Sequence, residues 1–513
     1  MSDKLLVVNN QDKFLRYEEK EKCHQGQGIL HRAFSVYIFN NKGELLIQKR
    51  SRHKPLWPFF WANSCCSHPR KDESYVNAGE RRIKEELGFF CCLREVDKFE
   101  YQAKFLEVGS ENEICTILAG RYDGKVKLNP KEAIDYKWID PYKLVEDFKK
   151  NPDEYTPWLK IGLERYLKIK ETEKKEKERL DLYLKSIIEK VDPIIKMLLE
   201  LYINKKFYEL IDYQAFTGGK RLRPALTIAS SKLLGGKMKD VVYPAAGLEV
   251  LHNSTLIVDD IIDHSELRRD KPTLWSKYGK SMAECLGLDY LAVAFEGANR
   301  SKKPKETSEL FANTLKVIME GEMMDVLFEQ NGREDEKYVT KNRYREINKK
   351  EYYDMVGKKT AILFQSCCET GALNADCSKK EIDLIKNYGY NFGMAFQIRD
   401  DILDIFGDEK LGKKIGGDIE EGKLGNIVIL LTMKELSKKD KQRILTIFKK
   451  KSMVKNDIEE IMKLIKKTSS REQADCLAQN FAEKAKEILG KLPKNKWNKL
   501  LEDLVTFSVY RNK

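Results

Sequence analysis

The sequence predicts a multidomain chain in which an N-terminal α+β domain precedes an all-α helical bundle. Three observations carry that prediction. The length, 513 residues, exceeds what one hydrophobic core usually serves. The period of the hydrophobic pattern changes from two to 3.6 part-way along. A charged run without turn residues marks the change. The boundaries read from these are 1–165 for the first domain, 166–182 for a charged helical linker and 183–513 for the bundle.

Residues 31–50, HRAFSVYIFNNKGELLIQKR, alternate apolar and polar around an Asn-Asn-Lys-Gly turn, the pattern of a β-hairpin. A helix is expected over 79–88, within GERRIKEELGF, and short strands over 111–118 and 124–139, which makes the first part α+β. The run LERYLKIKETEKKEKER, 163–179, holds almost only helix formers and charge; it cannot bury a core and reads as a helical linker. Beyond about Leu180 nearly every segment carries the helical period, turn signals are few and strand patterns vanish. There is no repeat of fixed period, and low complexity is confined to the linker.

The formal net charge of +13 suits nucleic acid, anionic lipid or small polyanionic substrates. The lysines, however, are spread along the chain without interleaved aromatics, so a solvated lysine-rich surface explains them and nucleic-acid binding has no motif behind it. The start, MSDKLLVVNNQDKFLRYEEK, has no long apolar run, and no later segment approaches the roughly 20 apolar residues that span a bilayer; a soluble, cytoplasmic chain without an integral membrane segment is expected. The 11 cysteines form no spaced framework, which fits free thiols in a reducing compartment.

Two sets of residues carry chemistry. The first gathers His24, His31 and His68, half of the 6 histidines, with Glu111 and Glu113 of SENEIC. An i, i+2 spacing on a strand turns both carboxylates to one face, so three imidazoles and two carboxylates suit one divalent ion, although spacing alone does not bring the histidines together. The second set is a pair of aspartate clusters, VDDIIDHSELRRD (258–270) and QIRDDILDIFGD (397–408). On a helix, D-D-x-x-D sets Asp259 and Asp263 one turn apart with Asp260 alongside, and Asp400, Asp401 and Asp404 repeat the arrangement. Carboxylates so crowded repel unless cations bridge them, and their usual partner is Mg2+ holding a diphosphate.

Residues 67–89 resemble the Nudix motif in Glu73, Arg81, Ile83, Glu85, Glu86, Gly88 and Phe89, with Ser67 in place of the leading glycine and Arg82 in place of a hydrolytic glutamate. Such a helix holds a divalent cation against a diphosphate while the carboxylate cluster that drives hydrolysis is incomplete. The motifs H-x6-H (His24, His31), NSCCSHP (63–69), RRIKEELG, ENE and TPW (156–158) resemble, in order and over about residues 5–165, the type 1 isopentenyl diphosphate isomerases. The resemblance implies a divalent metal such as Zn2+, Mn2+ or Mg2+ on His24, His31, His68, Glu111 and Glu113. It implies Cys66 and Glu113 as the acid and base that move a double bond, Tyr101 as a helper in proton delivery and Trp158 as the π-face over a tertiary carbocation. Glu86 matches the ligand of a Mg2+ that rides on the substrate diphosphate, and Lys20, Arg50, Lys54 and Arg82 match its cationic contacts.

The second part resembles the trans-prenyltransferases that build polyprenyl diphosphates head to tail. The matching stretches are GGKRLRP (218–224), LHNSTLIVDDIID, RRDKPT, GKKTAILF, FQIRDDILD and GKKIGGDIEEGK, covering about residues 185–513. The resemblance implies that Gly219, Lys220, Arg223, His252 and Arg269 bind isopentenyl diphosphate. It gives Arg268, Lys359, Thr360, Gln397, Lys414 and Lys423 to the allylic diphosphate, with three Mg2+ ions bridged by Asp259, Asp260, Asp263, Asp400, Asp401 and Asp404. Asp270 stands where many such relatives have glycine, Glu322 where short-chain farnesyl synthases have glutamine, and GKLGNIVIL lacks the usual threonine and proline after its lysine. Ser254 and Thr255 lie about one helical turn below the first cluster, where bulky aromatics stop growth at fifteen carbons in the family. Small residues there leave room, and Leu248 and Leu251, further down, are the expected floor.

The expected function is therefore a bifunctional isoprenoid enzyme, isomerising isopentenyl to dimethylallyl diphosphate and condensing these into an all-trans prenyl diphosphate of twenty carbons. The alternative is a synthase of farnesyl or longer products carrying a degenerate, structural isomerase half. A Nudix hydrolase of nucleotides is disfavoured by Arg82 and by the Cys66 to His68 set. A homodimer or higher homo-oligomer through the helical part is the family expectation.

Overall fold

The computed structural model describes residues 4–91, 93–201, 203–407, 416–450 and 453–510. They fall into two compact units, Met1–Lys175 and Glu176–Lys513.

The first unit is built on a 9-stranded sheet: β1 (Lys4–Val8), β2 (Phe14–Glu19), β3 (His31–Phe39), β4 (Leu45–Arg50), β5 (Trp61–Ala62), β6 (Cys65–Ser67), β7 (Leu93–Phe105), β8 (Gly109–Arg121) and β9 (Ala133–Ile139). The predicted hairpin is β3 and β4, closed at Phe39 opposite Leu45. The β1, β2, β5, β6 and β7 strands lie outside the strand signals read in the sequence. Every residue of β3 except Arg32 is buried, and this strand is the hub of the sheet. It runs antiparallel to β6 with Ser35 opposite Cys66, and parallel to β8 with His31 opposite Glu113. The β7–β8 pairing sets Tyr101 opposite Glu113. Residues remote in sequence thus meet on neighbouring strands.

The expected helix spans Tyr75–Leu87. The Ser74 hydroxyl accepts from the Asn77 N–H at its start, and Gly88, at φ 74, ends it in the left-handed conformation that favours glycine. Ile83 and Leu87 are buried under the sheet, and so is Glu86.

One helix, Pro157–Glu200, contains the charged run. Its first turns bury Leu159 and Leu163 in the core of the first unit. Leu184, Ile187, Val191 and Ile195, spaced as one helical face, enter the core of the second. No residue from 167 to 179 is buried, because that stretch offers charge all round.

The second unit is helical, its principal elements being Met238–Ile262, Lys280–Asn299, Pro304–Phe328, Ile362–Leu373 and Lys379–Phe406. One small exception to helix is a ladder of Leu267–Arg268 with Lys271–Pro272. Its turn residues Arg269 and Asp270 have φ 54 and 60, and a two-residue turn of this type needs positive φ at both centres. Aspartate tolerates that conformation better than most residues, so Asp270 keeps the turn without glycine. Gly357–Ala361 form a π-helical turn that carries Lys359 and Thr360. Among the described residues no helix is long and apolar enough to cross a membrane, and every described cysteine is free.

Candidate active site

In the first unit the β3–β8 register collects His24, His31, His68, Glu111 and Glu113, whose donor atoms all lie within 4.8 Å of one another. His24 Nδ1 lies 2.6 Å from the Lys20 carbonyl and His31 Nδ1 2.7 Å from that of Ile29. Carbonyls only accept, so these Nδ1 atoms carry the protons and each Nε2 presents a lone pair. The Nε2 atoms converge: His31 to His68 at 3.2 Å, His68 to Glu113 at 3.1 Å and His24 to Glu111 at 2.9 Å. Burial, followed by the neighbouring His31, holds His68 well below the usual imidazole range. Three imidazoles and two carboxylates with their donor atoms packed together are the complement of a divalent cation, and this set fits one.

The Tyr101 hydroxyl donates to Glu113 at 2.6 Å. Across β3 lies Cys66, whose thiol burial pushes up and keeps protonated. Arg50 donates to the carbonyls of Leu56 and Trp57 at 2.8 and 3.0 Å, which turns one Nη toward the Cys66 sulfur at 3.6 Å. Its guanidinium lies 5.3 Å from the Trp158 ring centre, and Trp57 meets that ring edge-on at 5.2 Å. The Cys66 thiol and the Trp158 ring thus flank the Arg50 guanidinium, and Tyr101 lies 6.2 Å from the same ring. Arg82 reaches Glu86 at 2.5 Å, and Gln48 donates to the other Glu86 oxygen at 2.9 Å. Lys54 is largely buried nearby, whereas Lys20 is exposed one turn before His24.

In the second unit, Gly218 and Gly219 lead with φ 116 and 134 into the Leu222–Leu233 helix. Arg269 donates to the Gly218 carbonyl, Arg223 lies over Phe364 at 4.8 Å and Lys220 over Phe507 at 4.6 Å. Burial, followed by Arg223 and Arg269, holds His252 neutral. Two lysines stand beside the first aspartate cluster. Lys359 Nζ is 2.7 Å from both Glu322 and Asp325, while Lys423 Nζ is 2.7 Å from Glu421, 3.6 Å from Asp263 and 3.8 Å from Asp325. Thr360 donates to Gln397 at 2.9 Å, and Gln397 to Asp401 at 2.8 Å. Lys414 lies outside the described residues.

Residues 204–465 match the family model for polyprenyl synthetase, and residues 29–159 the NUDIX domain. A geranylgeranyl diphosphate synthase of Saccharolobus solfataricus is 38% identical over 65% of this chain and 98% of its own. An isopentenyl-diphosphate Delta-isomerase of Serratia proteamaculans is 40% identical over 31% of this chain and 88% of its own. The chain belongs to the polyprenyl synthetase family, with an isopentenyl-diphosphate isomerase of Nudix type fused ahead of it. The crystal structure of a geranylgeranyl pyrophosphate synthetase from Pyrococcus horikoshii shares the synthase fold, with TM-score 0.59 and 33% identity over 65% of this chain and 99% of that one.

Within the synthase unit the structure bears on two expectations. The six aspartates are not equivalent. Asp260 is 1% exposed and spends its carboxylate on Arg268 at 2.7 Å. Asp401 accepts from Tyr352, Gln397 and the Ile427 N–H at 2.8, 2.8 and 3.0 Å, and burial together with Asp418 pushes it up to about 8. Arg268 thus takes one oxygen of Asp260, and protein donors take both oxygens of Asp401.

The second expectation concerns the cavity below the first cluster, about 450 Å³, lined by Ser254, Thr255 and Val258 with Leu288 and Leu291 of the Lys280–Asn299 helix and Leu315 and Met319 of the Pro304–Phe328 helix. Leu248 and Leu251 are fully buried in the core and are not among its lining residues. The walls come from two helices whose contribution no local pattern announces. Sequence reasoning also missed Asp325, Glu421 and Tyr352, which hold the two lysines and Asp401. The i, i+3 spacing of Glu322 and Asp325 on one helix was the available signal.

Proposed function

We infer that the isomerase unit converts isopentenyl to dimethylallyl diphosphate and that the synthase unit extends this primer with further isopentenyl diphosphate to geranylgeranyl diphosphate. The observation that carries the reading is the pairing of two groups across β3: Cys66, protonated, and Glu113, hydrogen-bonded to Tyr101. Moving the double bond needs one proton added to an unactivated alkene and another removed, so an acid and a base must face the carbon chain from different sides. Cys66 and the Tyr101–Glu113 pair take those roles, and Trp158 shelters the tertiary carbocation, a contact of about 2 kcal/mol when desolvated. Arg82, Lys54, Arg50 and Lys20 hold the diphosphate. A divalent ion on His24, His31, His68, Glu111 and Glu113 supplies fixed positive charge beside Glu113, and Mg2+ on Glu86 supplies it at the diphosphate.

In the synthase unit Gly219, Lys220, Arg223, His252 and Arg269 hold isopentenyl diphosphate. Asp259, Asp263, Asp400 and Asp404 would hold Mg2+, which supplies charge at the allylic diphosphate. Lys359, Lys423 and Arg268 take up negative charge as pyrophosphate departs; the allylic cation is then attacked by the isopentenyl double bond and a proton is lost to pyrophosphate. The cavity that begins at Ser254 and Thr255 supports a chain longer than fifteen carbons, and its volume lies within the roughly 300–1,000 Å³ of small-molecule pockets. Leu288 and Met323 are 70% and 61% exposed, which supports a homodimer through these helices. The reading places the enzyme in the cytoplasm.

The test feeds the purified chain radiolabelled isopentenyl diphosphate and Mg2+ without primer and sizes the dephosphorylated products. A twenty-carbon alcohol is expected. Product only after dimethylallyl diphosphate is added would remove the isomerase assignment, and a fifteen-carbon end point would remove the chain length.

A further inference from the structure

Glu132 belongs to the turn before β9 and has no role in the account above. One of its carboxylate oxygens accepts from Arg82 Nη2 at 2.9 Å, and the other pairs with Lys54 Nζ. Arg82 comes from the Tyr75–Leu87 helix and Lys54 from the loop after β4, so a single carboxylate ties together cations from two separate elements. The 129–132 turn that carries it is pinned to both. On the helix side Asn129 N–H donates to the Glu86 carbonyl at 2.8 Å; on the strand side Ser51 N–H donates to the Glu132 carbonyl at 3.0 Å and the Ser51 hydroxyl to that of Lys131 at 2.6 Å. Although burial works against it, Lys54 and Arg82 draw the Glu132 carboxyl down to about 2, so it is ionised at any working pH.

Two cations converging on one site repel, and each side chain has rotamers that lead away into water. A substrate that must first gather them loses affinity to that ordering. A carboxylate placed between them does the gathering beforehand, at the expense of some attraction for an anionic substrate. We propose that Glu132 is a positioning residue that holds Lys54 and Arg82 at the spacing the substrate diphosphate requires. The proposal rests on the diphosphate reading given above. Because Arg82 also grips Glu86, the restraint extends to the proposed Mg2+ ligand.

The two effects of Glu132 have opposite signs on substrate affinity, which makes the test decisive. Isomerisation is read in the full chain as the initial rate of acid-labile radioactivity from isopentenyl diphosphate alone, before any elongation. In Glu132→Gln, KM for isopentenyl diphosphate and the Ki of inorganic pyrophosphate are expected to rise together by about tenfold, with kcat within about twofold of the parent. Glu132→Asp keeps the charge but is too short to span both cations, and is expected to show part of the same rise. A lowered or unchanged KM in Glu132→Gln would overturn the proposal, since the carboxylate would then only repel substrate. Parental KM in Glu132→Asp would overturn the spacing argument, since charge alone would suffice. Misfolding lowers kcat and leaves KM alone, and that pattern in both variants would also overturn it. A parent chain that makes no acid-labile product removes the isomerase reading instead, a separate failure.

Discussion

Lys423 meets the first aspartate cluster directly and the second only through Asp418: its Nζ lies 3.6 Å from Asp263, and its backbone N–H donates at 2.9 Å to the carbonyl of Asp418, whose own N–H donates to the Asp404 carboxylate at 3.2 Å. In the proposed reaction a cation held there would meet charge that develops only as the allylic diphosphate leaves. Lys423→Met is expected to lower the kcat of the dimethylallyl-fed synthase by about 10²–10³. Isomerisation measured in the same preparation should not change.

Cys66 and the synthase site belong to different units, so their losses should separate. Cys66→Ala is expected to reduce isomerisation by at least about 10²-fold, the usual contribution of a positioned acid or base. Elongation from supplied dimethylallyl diphosphate should proceed at the parental rate, measured by product radioactivity with and without primer.

The facing Nε2 atoms of His31 and His68 predict a retained ion. Protein dialysed against buffer is expected to keep about one divalent metal ion per chain, measured by inductively coupled plasma mass spectrometry. His68→Ala should lose it. Treatment with a strong chelator should abolish isomerisation, and adding back a divalent transition metal should restore it.

The cavity walls predict which substitutions change chain length. Thr255→Phe projects an aromatic ring into the cavity and should shorten the main product, read by chromatography of the dephosphorylated alcohols. Leu251 packs in the core instead, so Leu251→Ala should lower stability by about 2–5 kcal/mol and leave product length alone.

Gly321 sits against the π-helical turn so closely that a Cβ there would stand 2.3 Å from the Lys359 backbone nitrogen. Backbone must move to admit it. Gly321→Ala is expected to destabilise the synthase unit by about 1–3 kcal/mol, seen in thermal melting, and to lower its kcat by displacing Lys359.

Much of both sites was legible because their chemistry is written in short windows. The D-D-x-x-D spacing fixes which carboxylates share a helical face, the hairpin pattern of 31–50 announces β3 and β4, and the run 79–88 announces the helix that carries Arg82 and Glu86. What was not legible depends on partners far along the chain. Asp260 and Asp263 read alike in sequence, and only the arrival of Arg268 turns one of them inward. Leu251 shares the helical face of Thr255 by spacing, yet the cavity it was expected to floor is walled by Leu315 and Met319.

By itself, then, the sequence determined the local structures and the candidate groups within each short window, since period, caps and motif spacing act over a few residues. The tertiary structure alone decided that His31 lies opposite Glu113 and Ser35 opposite Cys66, and that Glu132 stands between Lys54 and Arg82. Strand register and helix packing are set by the simultaneous burial of many distant side chains. A one-residue slip in β3 would turn His31 to the other face of the sheet and dismantle the metal set.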